Sequence, residues 1–442
     1  MKKRLSSRKH KAFGLATILL LGLFLFLIGG YWMFSRKFKI SIQPKEQVNT
    51  QPIAQKPTPP AEVIPTQPVP PQAPAPEPIS VPPAPQSEIL IGTMIGLTGQ
   101  FTDVQKEVLD EMQFLINATN LQGGIHGEKI KLLFYDHQYT PEIAVKCLKS
   151  LIEKKVQIIL VPIGTPPLEA CLPSIKENDL LVLFPNSAAK SIKTPELRKK
   201  IISFRTSYQN EAYVLLDYAV KNSNTQRVAI FYQDDGYGKS CLDGAIDALK
   251  DNNISDDQIL KVPYTQNSTA VGSEAEKIKN FDPDSIVVFG VPPVVQSLFS
   301  KFESFWLLTK KLFGISSVIS AAFLDYLKQK SLKCTFSHVL PNPQDTSLEI
   351  TGKYIEHIKK HNLQHDDYLF FSYIATSLFL DILNQIDKPI IKEKILSKIE
   401  SLNNYKFKGL TLNFDPQTSE LTKNVWIEPP NGEWIFKPFE NH

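Results

Sequence analysis

The sequence has few cysteines and lacks the short motifs of common catalytic sites. Its 442 residues include four cysteines and no C-x-x-C pair, so the sequence does not predict a zinc ribbon or a thioredoxin-like redox site. Neither H-E-x-x-H nor G-x-S-x-G occurs, which removes the usual signals for zinc proteases and serine hydrolases. We therefore expect a protein that is not an enzyme and uses no cofactor.

Glycines are missing where a phosphate-binding loop would need them. The segment FYQDDGYGKSCLD has the order strand, loop and helix, but Gln233 occupies the position of the first P-loop glycine. The stretch NLQGGIHGEKI follows a helical pattern and precedes a strand, which is the reverse of a phosphate-binding order. We assign its glycines, Gly123, Gly124 and Gly127, to a turn that ends a helix.

The histidine-rich segment HIKKHNLQHDD permits two interpretations. His357, His361 and His365 are spaced to share one helical face, beside Asp366 and Asp367, and imidazoles at that spacing can bind zinc. The surrounding residues are polar, which favours a solvated helix end instead. We therefore predict no metal site.

Acidic residues are absent from the first 40 positions, where nine lysines and arginines lie. Because the whole chain has a formal net charge of +4, residues 41–442 carry −5. A mildly acidic body does not suit the phosphate backbone of nucleic acid. We expect no nucleic-acid partner.

Residues 12–34, AFGLATILLLGLFLFLIGGYWMF, contain no charge. As a helix they would extend roughly 34 Å at 1.5 Å per residue, which is enough to cross a bilayer. More basic residues precede this segment than follow it closely, which favours a cytoplasmic N-terminus. We predict a cytoplasmic tail (1–11), an uncleaved single-pass anchor in the cytoplasmic membrane (12–34) and an extracytoplasmic body. A cleaved signal peptide is the alternative, although no A-x-A-like site precedes SRKFK.

Proline is concentrated after this span, since 15 of the 33 prolines fall between residues 43 and 88. Such a segment favours extended polyproline II geometry and acts as a semi-rigid spacer. We predict a Pro-rich linker over residues 35–87.

The remainder alternates strand-like and helix-like segments. Apolar runs such as EILIGTMIG, KIKLLFYD, VQIILVPIG, QRVAIFYQ and DSIVVFGV are separated by segments of helical period. This alternation is typical of parallel sheets built from βαβ units. Two such sets, separated near RTSYQNE, predict two α/β lobes.

In the order of these segments, the chain resembles the type I periplasmic binding proteins, in particular the leucine/isoleucine/valine-binding branch that serves ABC importers. The resemblance rests on IGTMIGLTGQF, INATNLQGGIHGEKIKLLFYDHQYTPEIAVKCLKSLI, VQIILVPIGT, FRTSYQNEAYVLLDYAV, RVAIFYQDDGYGKSCLDG and YKFKGLTLNFDPQTSEL. It implies two flavodoxin-like lobes with parallel sheets, joined by a hinge. We divide the body into lobe 1 (88–208), lobe 2 (209–337), a return to lobe 1 (338–410) and a C-terminal crossover to lobe 2 (411–442).

The resemblance also implies a ligand site in the interlobe cleft, because open parallel sheets bind ligands beyond the carboxyl ends of their strands. The expected ligand-binding residues are Phe101, Gly164, Thr165, Asn186, Ser187, Ala188 and Ala189 on lobe 1, and Tyr237, Val291, Pro292 and Ser316 on lobe 2. Tyr237 would close over the ligand as an aromatic lid.

Two departures from the family pattern affect the expected ligand. Amino-acid binders place an acid on the second lobe to pair with the ligand's ammonium group, and that position falls at Ser316. The aromatic residue and glycine expected after Leu97-Thr98-Gly99 are replaced by Val104 and Gln105. Either the ligand is not a free α-amino acid, or the pocket has a different role.

The function implied is that of a membrane-anchored solute-binding protein that captures a small polar ligand, amino-acid-like or related, for an ABC-type importer. The expected partners are this ligand, a transporter permease or envelope protein, and the membrane. The alternative is a non-transport regulatory or scaffold module on the same fold, for example a regulator of cell-wall synthesis.

The cysteines leave a structural question open. Cys147 and Cys171 lie early in successive helices that a flavodoxin-like strand order places side by side, so a disulfide between them is one alternative. Two buried thiols packed between the helices are the other. For Cys241 and Cys334 the sequence predicts no pairing.

Overall fold

The computed structural model describes residues 88–99 and 102–438. The predicted anchor (12–34), the predicted linker (35–87) and Phe101 lie outside these residues. In the part of the chain that is described, no helix is both long and apolar enough to cross a membrane.

The first sheet has five parallel strands in the order β2-β1-β3-β4-β5. Its strands are β1 (Glu88–Ile95), β2 (Lys129–Asp136), β3 (Ile158–Leu160), β4 (Leu181–Leu183) and β5 (Ile201–Ile202). Helices α1 (Thr102–Leu121), α2 (Pro141–Glu153) and α3 (Thr165–Glu177) connect the first four strands. This is the flavodoxin-like order, and we call this sheet with its helices lobe 1.

The glycine-rich turn after α1 has the predicted structural role. Gly124 has φ +73°, and a Cβ there would lie 2.2 Å from the carbonyl oxygen of Glu128. Only glycine fits this approach and this left-handed backbone. The turn therefore ends α1 and directs the chain into β2.

The second sheet repeats the flavodoxin-like order and extends it. Its order is β14-β13-β10-β9-β8-β6-β7, in which β6 to β10 are parallel and β13 runs antiparallel to β10. The strands are β6 (Val228–Gln233), β7 (Ile259–Tyr264), β8 (Ser285–Phe289), β9 (Lys311–Gly314), β10 (Cys334–His338), β13 (Asn424–Glu428) and β14 (Ile435–Pro438). The helices are α4 (Tyr208–Ser223), α5 (Gly236–Asp251), α6 (Gly272–Phe281), α7 (Pro292–Phe299), α8 (Ser304–Leu307) and α9 (Ala321–Gln329). We call this sheet with these helices lobe 2.

Three further helices follow β10 and return to the core of lobe 1. They are α10 (Glu349–His361), α11 (Asp367–Asn384) and α12 (Lys392–Glu400), followed by the hairpin strands β11 (Tyr405–Phe407) and β12 (Leu410–Leu412). Nearly every residue of α11 is buried, because this helix is apolar on all sides. The two α/β lobes predicted from the alternating pattern are therefore confirmed, and the sheet of lobe 2 adds two antiparallel strands, β13 and β14, to its parallel ones.

The described cysteines are all free and buried, so the disulfide alternative is incorrect. Cys147 and Cys171 belong to one apolar cluster between α2 and α3. Burial raises the pKa of both thiols, that of Cys171 to about 12. They act as small apolar side chains in this core.

The histidines do not share one helical face, because α10 ends at His361 and His365 lies beyond it. The imidazole of His357 contacts the Glu111 carboxylate at 2.7 Å, whereas that of His365 contacts the Tyr354 hydroxyl at 3.1 Å. Among residues 88–99 and 102–438, no group of His, Cys, Asp and Glu side chains could hold a metal ion.

Candidate functional site: the interlobe cleft

The carboxyl ends of the two sheets face each other across a buried cavity of about 30 Å³. Space of this size holds roughly one to three water molecules, because one water needs at least about 10–15 Å³ and takes up about 30 Å³ in the liquid. The lining residues come from both lobes: Gln105, Tyr139, Ile163, Gly164, Thr165, Asn186, Tyr208, Tyr237, Val291, Ser317 and Tyr368. The cleft is therefore closed, polar at several points and walled by four tyrosines.

The lobe 1 wall is centred on the start of α3. The hydroxyl oxygens of Thr165 and Ser187 lie 2.6 Å apart and both side chains are buried. The next two residues, Pro166 and Pro167, have no backbone N–H to offer an anion. The start of α3 therefore offers a ligand fewer hydrogen-bond donors than an ordinary helix N-terminus.

The lobe 2 wall is formed by aromatic residues and short polar loops. The Tyr237 hydroxyl lies 2.6 Å from the Ser317 hydroxyl, and its ring packs edge-on against Tyr208 at 4.9 Å between centroids. Burial raises the pKa of Tyr237 well above its ordinary value, so the phenol is neutral. This wall presents hydroxyl groups rather than charges.

A second cavity of about 20 Å³ adjoins the first and shares Asn186, Ser317 and Tyr368 with it. It is lined by Arg205, whose guanidinium pairs with the buried carboxylate of Glu211. Glu211 also accepts hydrogen bonds from the Ser316 N–H at 2.8 Å and from the Ser337 hydroxyl at 3.0 Å. Its charge is therefore neutralised within the protein and is not available to a ligand's ammonium group.

Hydrogen bonds join the lobes directly around these cavities. The Tyr368 hydroxyl of α11 donates to the carbonyl of Ser317 at 2.6 Å, and the backbone N–H of Lys190 donates to the Ser240 hydroxyl at 2.9 Å. These contacts hold the cleft closed, so a ligand must enter through an opening of the lobes.

A histidine lies where the chain leaves β10 for lobe 1. The His338 ring contacts the carboxylates of Asp367 at 2.8 Å and Glu428 at 3.0 Å and stacks on Trp434. Burial opposes the charged form, but the two carboxylates raise the pKa of His338 to about 9. A charged imidazolium therefore joins α11 to lobe 2 at neutral pH.

Most of the ligand-binding residues expected from the sequence line one of the two cavities, and the others that the structure describes lie behind or beside the lining. Five line the first cavity (Gly164, Thr165, Asn186, Tyr237 and Val291), and Ser316 lines the second. Ser187 reaches the cavity through its contact with Thr165. Ala188 and Ala189 are buried in the apolar cluster that contains Tyr237, and Pro292 begins α7 outside the lining.

Sequence reasoning missed several lining residues, notably Tyr139, Tyr208 and Tyr368. The sequence does mark Gln105, because it is a polar residue on the core side of α1. In the structure its buried side chain accepts a hydrogen bond from the Gly96 N–H at 2.6 Å. Nothing in the sequence marks Tyr139 as a site residue, because its place in the cleft depends on contacts between its loop and lobe 2.

Comparison with known families and curated proteins identifies relatives of this chain. The family model described as "Periplasmic binding protein" matches residues 88–427. A Leu/Ile/Val-binding protein homolog 3 from Brucella melitensis is 25% identical over 175 residues, which are 39% of this chain and 47% of that protein. Leu/Ile/Val-binding protein BraC3 from Rhizobium johnstonii is 25% identical over 212 residues, 47% of this chain and 56% of that protein. The chain thus spans about half the length of the curated relatives it matches.

Solved structures share the fold. A possible leucine/isoleucine/valine-binding protein from Rhodopirellula baltica superposes with a TM-score of 0.70 at 16% identity, over 80% of this chain and 97% of that one. A fatty acid ABC transporter substrate-binding protein from Thermomonospora curvata gives 0.70 at 18% identity, over 80% and 92%. A leucine-binding protein from Thermotoga maritima gives 0.66 at 18% identity, over 79% and 97%.

Proposed function

The chain belongs to the periplasmic binding protein family, and from that premise we propose that it captures a small polar ligand between its lobes for an ABC-type importer. The family consists of solute-binding proteins without catalytic activity, and its ligand-binding body is extracytoplasmic. The observation that carries the proposal is the closed polar cavity between the carboxyl ends of two parallel sheets.

We place the protein on the cytoplasmic membrane through the uncharged residues 12–34, with the Pro-rich linker (35–87) as a spacer. The partners in this proposal are the ligand, a permease or another envelope protein, and the membrane. Because Ser316 stands where amino-acid binders carry an acid and Glu211 is paired with Arg205, the ligand is a small molecule without a free ammonium group.

A second candidate is a regulatory or scaffold module that no longer binds a solute. The observation in its favour is the size of the cleft, which has room for roughly one to three water molecules and is closed by direct hydrogen bonds between the lobes. A regulator of cell-wall synthesis is one example of such a role.

A thermal-unfolding screen of the full chain in detergent separates the two candidates. Amides, polyols, monocarboxylates and α-amino acids would be added one at a time. A ligand at 100 times its Kd stabilises the folded state by about 2.7 kcal/mol, whereas a scaffold gains nothing. We expect a member without an ammonium group to raise the midpoint, and the rise to diminish in Thr165→Val. The absence of any shift would contradict the transport proposal and favour the scaffold.

A further inference from the structure

One side chain of lobe 1 crosses the cleft and packs inside lobe 2. Tyr139 follows β2, yet its ring belongs to the apolar cluster of lobe 2 together with Tyr264 and Val291. Only 6% of the residue is exposed. The ring therefore occupies space between the lobes, where a ligand would otherwise be held.

The loop that carries Tyr139 has an unusual backbone. Gln138 and Tyr139 have φ of +54° and +53°, a left-handed conformation that costs roughly 1–2 kcal/mol per non-glycine residue. Buried His137 holds the loop, since its Nδ1 accepts the Tyr139 N–H at 3.0 Å and its Nε2 contacts the Ile163 carbonyl at 2.9 Å. Burial lowers the pKa of His137, which favours the neutral ring that can accept at one nitrogen and donate at the other.

The phenol of Tyr139 is held from lobe 2 as well. Its hydroxyl accepts a hydrogen bond from the Gln233 amide at 3.3 Å, and Gln233 in turn accepts one from the Tyr264 hydroxyl at 2.9 Å. The Tyr139 carbonyl accepts from the Gln266 amide at 3.1 Å. Both ends of the residue are thus fixed against lobe 2 when the cleft is closed.

The ring also covers the start of α3. A Cβ built on Gly164 would lie 2.7 Å from the Tyr139 ring, so the two are in close contact beside Thr165. The remaining space of about 30 Å³ accommodates roughly one to three water molecules. Removing the ring would therefore enlarge this space.

We propose that Tyr139 is the specificity-determining residue of the cleft, and that its ring restricts the ligand to a compact molecule. This inference rests on the proposed ligand-binding role of the same cleft. It adds the residue that sets the size limit.

The first test removes the Tyr139 ring by substitution and asks whether added 4-methylphenol, which has the same ring, binds in its place. Tyr139→Gly removes the side chain and suits the left-handed backbone. In the full chain we expect this variant to bind 4-methylphenol at least about tenfold more tightly than the wild type does, as measured by calorimetry. Tyr139→Phe is the matched control, because it keeps the ring and loses only the hydroxyl. Equal affinity of 4-methylphenol for the wild type and Tyr139→Gly would overturn the proposal.

The second test measures the size limit with linear amides from acetamide to hexanamide. The wild type should bind acetamide and reject longer members, whereas Tyr139→Gly should accept them. If the wild type binds no small molecule of any kind, the proposed function fails, and the 4-methylphenol result still decides whether the Tyr139 ring fills the space between the lobes. If Tyr139→Gly does not fold, Tyr139→Leu keeps an apolar contact with lobe 2 and should bind butanamide. A limit unchanged in Tyr139→Leu would contradict the inference.

Discussion

At the scale of single residues, the cleft depends on buried hydroxyl pairs. Thr165 and Ser187 satisfy each other at 2.6 Å beside the cavity. Thr225 and Ser285 form a chemically similar buried pair at 2.8 Å in lobe 2, away from the lining. The two pairs allow the structural and the binding contribution of a hydroxyl to be separated.

We expect Thr165→Val to lower the free energy of unfolding by about 1–3 kcal/mol, because it leaves the buried Ser187 hydroxyl without this partner. Thr225→Val should cost less, because the Ser285 hydroxyl keeps its hydrogen bond to the Asp284 carboxylate. Urea unfolding measures this loss. Ligand affinity should fall in Thr165→Val alone. A similar loss of affinity in Thr225→Val would show that the effect is not local to the cleft.

Buried Arg205 and Glu211 provide a second prediction. Glu211→Gln leaves the guanidinium buried without a counter-charge, so we expect a loss of about 3 kcal/mol or more in urea unfolding. Arg205→Met added to Glu211→Gln should recover part of that loss. The exposed pair of Lys353 and Glu349 supplies the control, since solvent screens this pair and Glu349→Gln should change stability far less. Equal effects at the two sites would contradict the account.

The site residues that could be predicted from the sequence are those that directly follow strands, such as Thr165, Asn186 and Tyr237. Parallel strands bring their carboxyl ends to one edge, so chain position alone places these residues. Tyr139 could not be predicted in this way, because its location depends on contacts with Gln233, which lies 94 positions away. The pairing of Glu211 with Arg205 could not be predicted, because both side chains are buried and a sequence pattern does not show which buried side chains are in contact.

At the scale of secondary-structure elements, the N-terminus of α11 makes an acidic contact between the lobes. Asp366 caps α11 through the Tyr368 N–H at 2.7 Å and also accepts the Ala321 N–H of α9 at 3.3 Å. Burial and the neighbouring Asp367 raise the pKa of Asp366 to about 7. In lobe 1, burial raises the pKa of Glu111 on α1 to about 7 as well.

These pKa values predict that stability falls as the pH rises. Glu111, Asp366 and His338 all have folded-state pKa values above their ordinary values of 4.5, 3.8 and 6.5, so the folded state binds protons more tightly. The contribution of the two acids is lost between about pH 4 and 7, and that of His338 between about pH 6.5 and 9. We expect the thermal midpoint of the full chain to fall by roughly 5 °C or more from about pH 5 to about pH 9.

The matched variant for this pH dependence is His338→Gln, which cannot become charged. Its midpoint should be lower than that of the wild type and should change less between about pH 6.5 and 9. His137 and His357 oppose this trend below about pH 7, because burial lowers their pKa values. A wild-type midpoint that does not fall between about pH 7 and 9 would contradict the assignment of His338. Asp367 acts oppositely, because His338 lowers its pKa despite burial, so its contribution is lost only in strong acid.

The alternating pattern predicted the parallel strands well, because a strand buried on both faces is a short apolar run. The antiparallel pairing of β13 with β10 could not be predicted in this way, because the paired residues Phe336 and Glu428 are far apart in the sequence. For α11, the apolar residues on all sides predict that the helix is buried, but they do not predict which elements pack against it.

At the scale of the whole molecule, the proposed anchor determines where the binding lobes work. We expect the native protein to remain in the membrane fraction after carbonate extraction, because residues 12–34 are uncharged and long enough to span a bilayer. A truncated variant that begins at residue 35 serves as the control and should be released. An N-terminus found after Phe34 in the native protein would indicate a cleaved signal peptide instead.

The central claim is that one ligand contacts both lobes in the interlobe cleft. Hydrogen–deuterium exchange of the full chain, with and without the ligand found in the thermal screen, tests it most directly. The account predicts slower exchange at the loops after β3, β4, β6, β8 and β9 together, since these form the two walls of the cavity. Protection confined to one lobe, or to surfaces away from these loops, would contradict it.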